Sequence, residues 1–319
     1  MSRAFIFPGQ GSQAVGMGKA LADNFTQARA VFEEVNEALL QPLSTLMFEG
    51  PEADLTLTAN AQPALMAVSL ATIRVLQAEA GLDLSRDAAF VAGHSLGEYS
   101  ALAAAGALSI WDTARLLQKR GQAMQAAVPV GQGAMAALLG ADLDQAREIA
   151  GLAQKAVSGV CEVANDNGGG QVVLSGTKAT IERAIDISKE KGIKRAVLLP
   201  VSAPFHCALM EPAAHAMADA LSKTAINTPR PPVVANVTAA PVTDPETIRE
   251  LLVQQVTGSV RWRECVSFMA ERGVRQFIEC GSGKVLTGLL KRIAPEARGV
   301  SVGSPADLEA YHAFLGEAD

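Results

Sequence analysis

The sequence predicts an α/β protein with a hydrolase-like core, a parallel sheet and a nucleophile elbow, interrupted by an inserted ferredoxin-like α+β subdomain. Three observations predict it. A short apolar run, Ala88 to Ala92, leads into Gly93-x-Ser95-x-Gly97 and then into an Ala- and Leu-rich run from Leu96 to Leu108. That is the strand, tight turn, helix order of an elbow. Residues 133–199 read β-α-β-β-α-β, the order of a ferredoxin-like unit. Outside that unit, short apolar strand candidates alternate with segments of helical spacing. The expected division is 1–130 with 202–319 as one large catalytic domain, and 131–201 as the insertion.

In chain order, Ala4–Phe7 is a buried-strand candidate that runs into Pro8-Gly-Gln-Gly-Ser-Gln13. Residues 17–40 have helical spacing. Gly9-x-Gly11-x-x-Ala14 matches a dinucleotide fingerprint. That fingerprint needs a second strand about 20 residues on, ending in an acidic residue. Here Phe25, Val31, Phe32, Val35 and Leu39 have helical spacing instead, so nucleotide binding is rejected. Residues 41–62 read as irregular, and Pro63 is expected to open a helix over 64–80. A helix is expected over 111–124.

Within the insertion, strands are expected at 134–139, 160–164, 172–174 and 194–199, with helices at 143–154 and 178–191. Beyond it, helices are expected at 209–222, 247–255, 262–272 and 285–293. Strands are expected at 233–237 and 276–279, and a last short strand and helix within 299–319. Gly281-Ser-Gly-Lys284 lacks the upstream glycine of a P-loop and reads as a strand-to-helix turn.

Composition removes several classes. A net charge of −6 argues against a general nucleic-acid binder, which needs a basic surface. Cys161, Cys207, Cys265 and Cys280 are scattered, so neither a metal site nor a disulfide framework is expected. No signal peptide or membrane span is read, and a cytoplasmic monomer is expected.

Ser95 needs a base, an oxyanion hole and a specificity group. Of the four histidines, His94 adjoins the serine and diverges from it, and His215 and His312 read as solvent-facing. His206, after Pro204-Phe205 and before a helix, is the best base, with an ordinary core or loop histidine as the alternative. The N–H of Leu96 is the first oxyanion donor, and the Pro8–Gln13 turn supplies the second. Arg120 falls within the apolar stripe Ala114, Leu117, Met124 and Ala127. A guanidinium there needs an anion. Either an internal acid or snorkelling satisfies it, or it forks onto a substrate carboxylate.

Together these residues resemble the malonyl-CoA:acyl-carrier-protein transacylases of type II fatty-acid synthesis. The marks are Phe7-Pro-Gly-Gln-Gly-Ser-Gln13, Gly93-His-Ser-Leu-Gly-Glu-Tyr99, Gln118-Lys-Arg-Gly-Gln-Ala-Met124, Ala203-Pro-Phe-His206 and Gly281-Ser-Gly-Lys-Val-Leu-Thr287, spread over the whole chain. The resemblance implies Ser95 as nucleophile, His206 as base, and Arg120 on the malonyl carboxylate. It also implies the N–H groups of Gln10 and Leu96 as oxyanion hole, and the backbone carbonyl of Gln255 orienting the histidine. Asn165 or Asn167 is implied near the acyl-CoA. Ser282 stands where proline is common in the family. No cofactor or metal is implied: malonyl-CoA is a substrate and acyl carrier protein the partner.

The implied reaction is ping-pong transfer through a malonyl-serine. A thioesterase is the near alternative. A polyketide or malonate-decarboxylase transferase would differ only in its carrier, and a dinucleotide-sensing scaffold is the non-enzymatic reading. Carrier docking is expected on Ser188–Arg195 or on Lys284, Lys291 and Arg292.

Overall fold

A computed structural model of the chain describes residues 2–201 and 203–316; Ser202, at the expected return from the insertion, lies outside the described residues. Two sheets organise it. Strands β1 (Ser2–Phe7) and β2 (Phe90–Gly93) form the middle of the first. The second holds β3 (Gly133–Leu139), β4 (Cys161–Asp166), β5 (Gln171–Thr177) and β6 (Arg195–Leu198). The chain then returns to the first with β7 (Val233–Val234), β8 (Pro241–Val242), β9 (Val274–Cys280) and β10 (Arg298–Val302).

The first sheet runs β10-β9-β1-β2-β7-β8 and is parallel throughout except at β8, which pairs antiparallel with β7. Its strands alternate between two cores. Phe5, Phe7, Val91 and Ile278 enter one, and Ala4, Ile6, Ala92 and Phe277 enter the other. A sheet covered on both faces is what near-continuous apolar strands imply. The helix Thr58–Ala80 lies in the first core and is buried nearly all round, consistent with its lack of a polar face.

The second sheet runs β4-β5-β3-β6, antiparallel at every pair. The helices Leu143–Ala156 and Lys178–Glu190 pack on it around a separate apolar cluster. Edge strand β4 is stitched to the large sheet's side. Val260 N donates to the Ala164 carbonyl at 2.8 Å, and Asp166 N donates to the Val260 carbonyl at 2.9 Å. Arg263 Nε pairs with the buried Asp166 carboxylate at 2.8 Å.

Several elements differ from expectation. Residues 17–40 form two helices, Lys19–Asn24 and Thr26–Leu39, because Phe25 is extended (φ −130°, ψ 122°). The stretch 41–62 is not irregular: Leu43–Glu49 and Glu52–Thr56 are short helices separated by Gly50-Pro51. Pro63 does not open its helix. The helix starts at Thr58, since the N–H groups of Asn60 and Ala61 find the Leu57 carbonyl and begin the helix one and a half turns early. The elbow helix stops at Ala104 rather than Leu108, closed by Gly106 at φ 78°, whose N–H donates to the Ala103 carbonyl. The strand expected over 233–237 ends at Val234, because Ala235–Ala240 closes as a turn. All four cysteines are buried and free, and no helix among the described residues is long and apolar enough to cross a membrane.

Candidate active site

The elbow sits where β2 ends. Ser95 has φ 53° and ψ −113°, a strained conformation for a residue with a Cβ. The neighbours leave no alternative path. A Cβ on Gly93 would fall 1.9 Å from the Gly97 backbone, and one on Gly97 would fall 2.3 Å from the Phe7 carbonyl. Both positions therefore require glycine. The Pro8–Gln13 turn presses on the elbow from β1: a Cβ on Gly9 would stand 2.8 Å from the His94 carbonyl. Leu96 is the first residue of the elbow helix, Leu96–Ala104, so its N–H has no intrahelical acceptor and faces the positive helix end. Gln10 lies in the adjoining turn, and its side chain reaches Thr58 Oγ1 at 3.4 Å.

His206 comes from the far side of the insertion and meets this corner. Its Nε2 is 2.8 Å from Ser95 Oγ. Its Nδ1 is 2.9 Å from the Gln255 carbonyl and 3.1 Å from the Gly258 carbonyl. Two carbonyls can only accept, so Nδ1 carries the proton and Nε2 is left to accept from the serine hydroxyl. Burial first, and then the Arg120 cation, pull the imidazole down to about 3. Its neutral form therefore follows from burial and the neighbouring cation. His206 too has a positive φ, 59°.

Arg120 reaches the same corner from the helix Ile110–Ala126 and is 1% exposed. Neither an internal ion pair nor snorkelling describes it. Nη1 donates to Gln62 Oε1 at 2.9 Å; Nη2 donates to Gln255 Oε1 at 2.9 Å and to Ser95 Oγ at 3.2 Å. Nε has no partner among the described residues. Its charge therefore rests on neutral oxygens and on the Tyr99 ring, 5.7 Å away.

Asn167 and Asn165 separate clearly. Asn167 Oδ1 holds His94 Nε2 at 2.8 Å, so His94 is turned to the insertion and not to the serine proton. Asn165 lies on β4, and its Oδ1 is buried without a partner among the described residues.

Asn236, Glu98 and Gln62 were not singled out in the sequence, nor was the side-chain role of Gln255. Asn236, in the turn after β7, accepts from Ser95 N at 2.8 Å and donates to the Gly93 carbonyl at 2.7 Å. Glu98, 2% exposed, accepts from Asn236 N and from Gln255 Nε2, each at 2.9 Å. Burial pushes its carboxyl up to about 7. The side chain of Gln255 also donates to the Ser95 carbonyl at 3.1 Å, so one residue ties the base, the cation and the elbow together. Glu98 had a signal in the sequence, an acid directly after the elbow glycine; Asn236 and Gln62 had none.

This arrangement is suited to carry an acyl group: a serine on a strained corner, a neutral imidazole, backbone N–H groups at a helix start, and a cation that forms no ion pair among the described residues. The family model described as the acyl transferase domain matches residues 4–304. The chain belongs to the acyl transferase family. The malonyl CoA-acyl carrier protein transacylase of Bacillus subtilis strain 168 is 44% identical over 306 residues, 96% of this chain and 95% of that protein. A crystal structure of an acyl-carrier-protein S-malonyltransferase from Bartonella henselae superposes with a TM-score of 0.96 at 56% identity, covering 99% of this chain and 100% of that one. A malonyl-transacylase solved in complex with a type II polyketide acyl carrier protein superposes at 0.93 with 42% identity, covering 97% and 98%.

This acyl transferase has a P-loop look-alike with a physical explanation. After β9, the turn Gly281–Lys284 opens the helix Val285–Ile293, but its N-terminus is already occupied by a carboxylate of the chain itself. Glu279 accepts from Leu286 N at 3.0 Å and from Thr287 N at 2.8 Å. The acyl transferase thus fills with Glu279 the place where a phosphate would bind.

Proposed function

We propose that the protein transfers the malonyl group from malonyl-CoA to the phosphopantetheine thiol of an acyl carrier protein, through a malonyl-serine on Ser95. His206 Nε2 takes the hydroxyl proton as Oγ attacks the thioester carbonyl. The oxyanion is held by the N–H groups of Gln10 and Leu96, and CoA leaves as its thiol with the proton returned by His206. The carrier thiol then attacks the ester in the reverse sense. Arg120 receives the free malonyl carboxylate, and Asn165 or Asn167 contacts the acyl-CoA, Asn167 also holding His94.

The observation that carries this reading is Arg120. A buried guanidinium 3.2 Å from the nucleophile, whose hydrogen bonds among the described residues go to amide and hydroxyl oxygens, is a seat for an acyl chain ending in a carboxylate. Acetyl would leave that cation unpaired, which supports discrimination of a hundredfold or more. Intact mass after exposure to malonyl-CoA is expected to show one malonyl group, lost in Ser95→Ala. Arg120→Ala is expected to abolish the preference for malonyl over acetyl in competition. Absence of the adduct, or a preserved preference, refutes the reading. With carrier protein withheld, a stable adduct separates a transferase from a thioesterase.

A further inference from the structure

The residue read as the carboxylate seat also touches the nucleophile. Arg120 Nη2 donates to Ser95 Oγ at 3.2 Å, while the hydroxyl hydrogen is directed to His206 Nε2 at 2.8 Å. We propose that Arg120 restrains the Ser95–His206 pair in the free enzyme, and that a carboxylate arriving on the guanidinium releases it. The inference rests on reading Arg120 as the acyl carboxylate seat.

Two physical effects act together. A hydroxyl oxygen has two lone pairs. Arg120 occupies one of them, and attack on an acyl carbon must use what remains. Proton transfer to His206 also creates an imidazolium on one side of Oγ with the guanidinium on the other. Like charges so placed disfavour the charged form of the histidine. No carboxylate among the described residues forms an ion pair with the cation, although the buried Glu98 stands close enough to act on it electrostatically. Gln62 and Gln255 present neutral oxygens. The titratable groups that face the pair are Glu98 and Tyr99 from the elbow helix and His94 beside the serine. Glu98 is committed to Asn236 N and Gln255 Nε2. His94 is committed to Asn167. Burial followed by the Arg120 charge accounts for the low basicity of His206, in keeping with the restraint.

A carboxylate bound by the fork reverses both effects. It draws Nη2 from Oγ, and it neutralises the charge that opposes imidazolium formation. Selectivity for a carboxylated acyl group then enters through the chemical step as well as through binding. A substrate without the carboxylate meets a nucleophile that is still held.

The test uses a neutral serine reagent, phenylmethanesulfonyl fluoride, so that the substrate carboxylate is not involved. Ser95 Oγ forms a bond to sulfur, the S–F bond breaks, fluoride leaves, and the hydroxyl proton passes to His206. Sulfonylation of Arg120→Met is expected to be about tenfold faster than that of the wild type, the effect of roughly one unit of base strength. Formate is expected to accelerate the wild type several-fold and to leave Arg120→Met unchanged. An equal or slower rate in Arg120→Met overturns the inference, because the guanidinium would then be neutral or activating. If that variant does not fold, the formate series on the wild-type protein decides: acceleration supports restraint, and no change or slowing overturns it. The two readings fail separately. Malonyl preference surviving in Arg120→Met removes the carboxylate seat; preference lost without faster sulfonylation removes only the restraint.

Discussion

Glu98 and His206 are both buried and are joined through Gln255, and their titrations pull stability in opposite directions. The carboxyl of Glu98 is raised from 4.5 to about 7 by burial. Between those values the folded state binds the proton and the unfolded state does not, so the Glu98 contribution falls as pH rises. His206 is lowered from 6.5 to about 3, so the unfolded state takes up the proton first as pH falls, and its contribution falls on acidification. Comparison with Glu98→Gln isolates the first effect. The variant keeps an oxygen to accept from Asn236 N and Gln255 Nε2 but has no proton to exchange. Relative to the wild type it is expected to gain roughly 2–3 kcal/mol between pH 4.5 and 7.5. Denaturant titrations at both pH values check this, and a difference that does not move with pH refutes it.

The elbow is a set of elements in contact at single atoms. β1, β2 and the elbow helix approach so closely that Gly97 stands against the Phe7 carbonyl. Gly97→Ala is expected to destabilise the fold by about 2 kcal/mol or more, by overpacking against backbone that cannot move away. It also shifts the Leu96 N–H, so the malonyl adduct should be lost even in protein that remains folded. Thermal unfolding and adduct mass on the same sample test both; an unchanged melting temperature with full loading contradicts the account. The turn after β7 shows the same dependence between elements. Two residues that pair with β2 deliver Asn236 to Ser95 N and the Gly93 carbonyl, so the shortness of that strand is what brings the turn to the elbow.

Over the whole molecule, the insertion and the large sheet meet at the site. β4 bonds to the backbone around Val260, two residues beyond the Gly258 carbonyl that holds His206. The loop after β4 carries Asn167 to His94, and its Gly169 packs under the Arg292 stem. Arg292 borders that loop, and it, Lys284 and Lys291 form no ion pair among the described residues; on the other candidate patch Lys189 pairs with Asp186 and Lys191 with Glu148, while Lys194 and Arg195 form none. If the carrier is acidic and docks on the patch that holds Arg292, charge reversal there has a distinct signature. Arg292→Glu should lower the carrier-dependent rate about tenfold at low salt, with less effect at high salt, and leave serine loading from malonyl-CoA intact. Stopped-flow or discharge assays at two ionic strengths decide it; equal effects on loading and discharge argue against docking there.

The sequence by itself determined what local rules control. The Gly93–Gly97 spacing implies an elbow, because a turn so tight excludes a Cβ at both ends. The apolar alternation over 133–199 yields the insertion's element order. Arg120 within an apolar stripe calls for a partner, without saying whether the chain or a substrate supplies it. Short-range signals failed where capping and chain breaks outweigh propensity, as at Phe25, over 41–62 and at Pro63. Only the tertiary structure decided the partners. Gln255 lies 135 residues from Arg120 and 160 from Ser95, and Asn236 lies 141 from Ser95. Hydrogen bonds across such distances leave no spacing to read. They exist because the parallel sheet brings strand ends from the start, middle and end of the chain to one edge, where burial makes each polar atom find whichever partner the fold supplies.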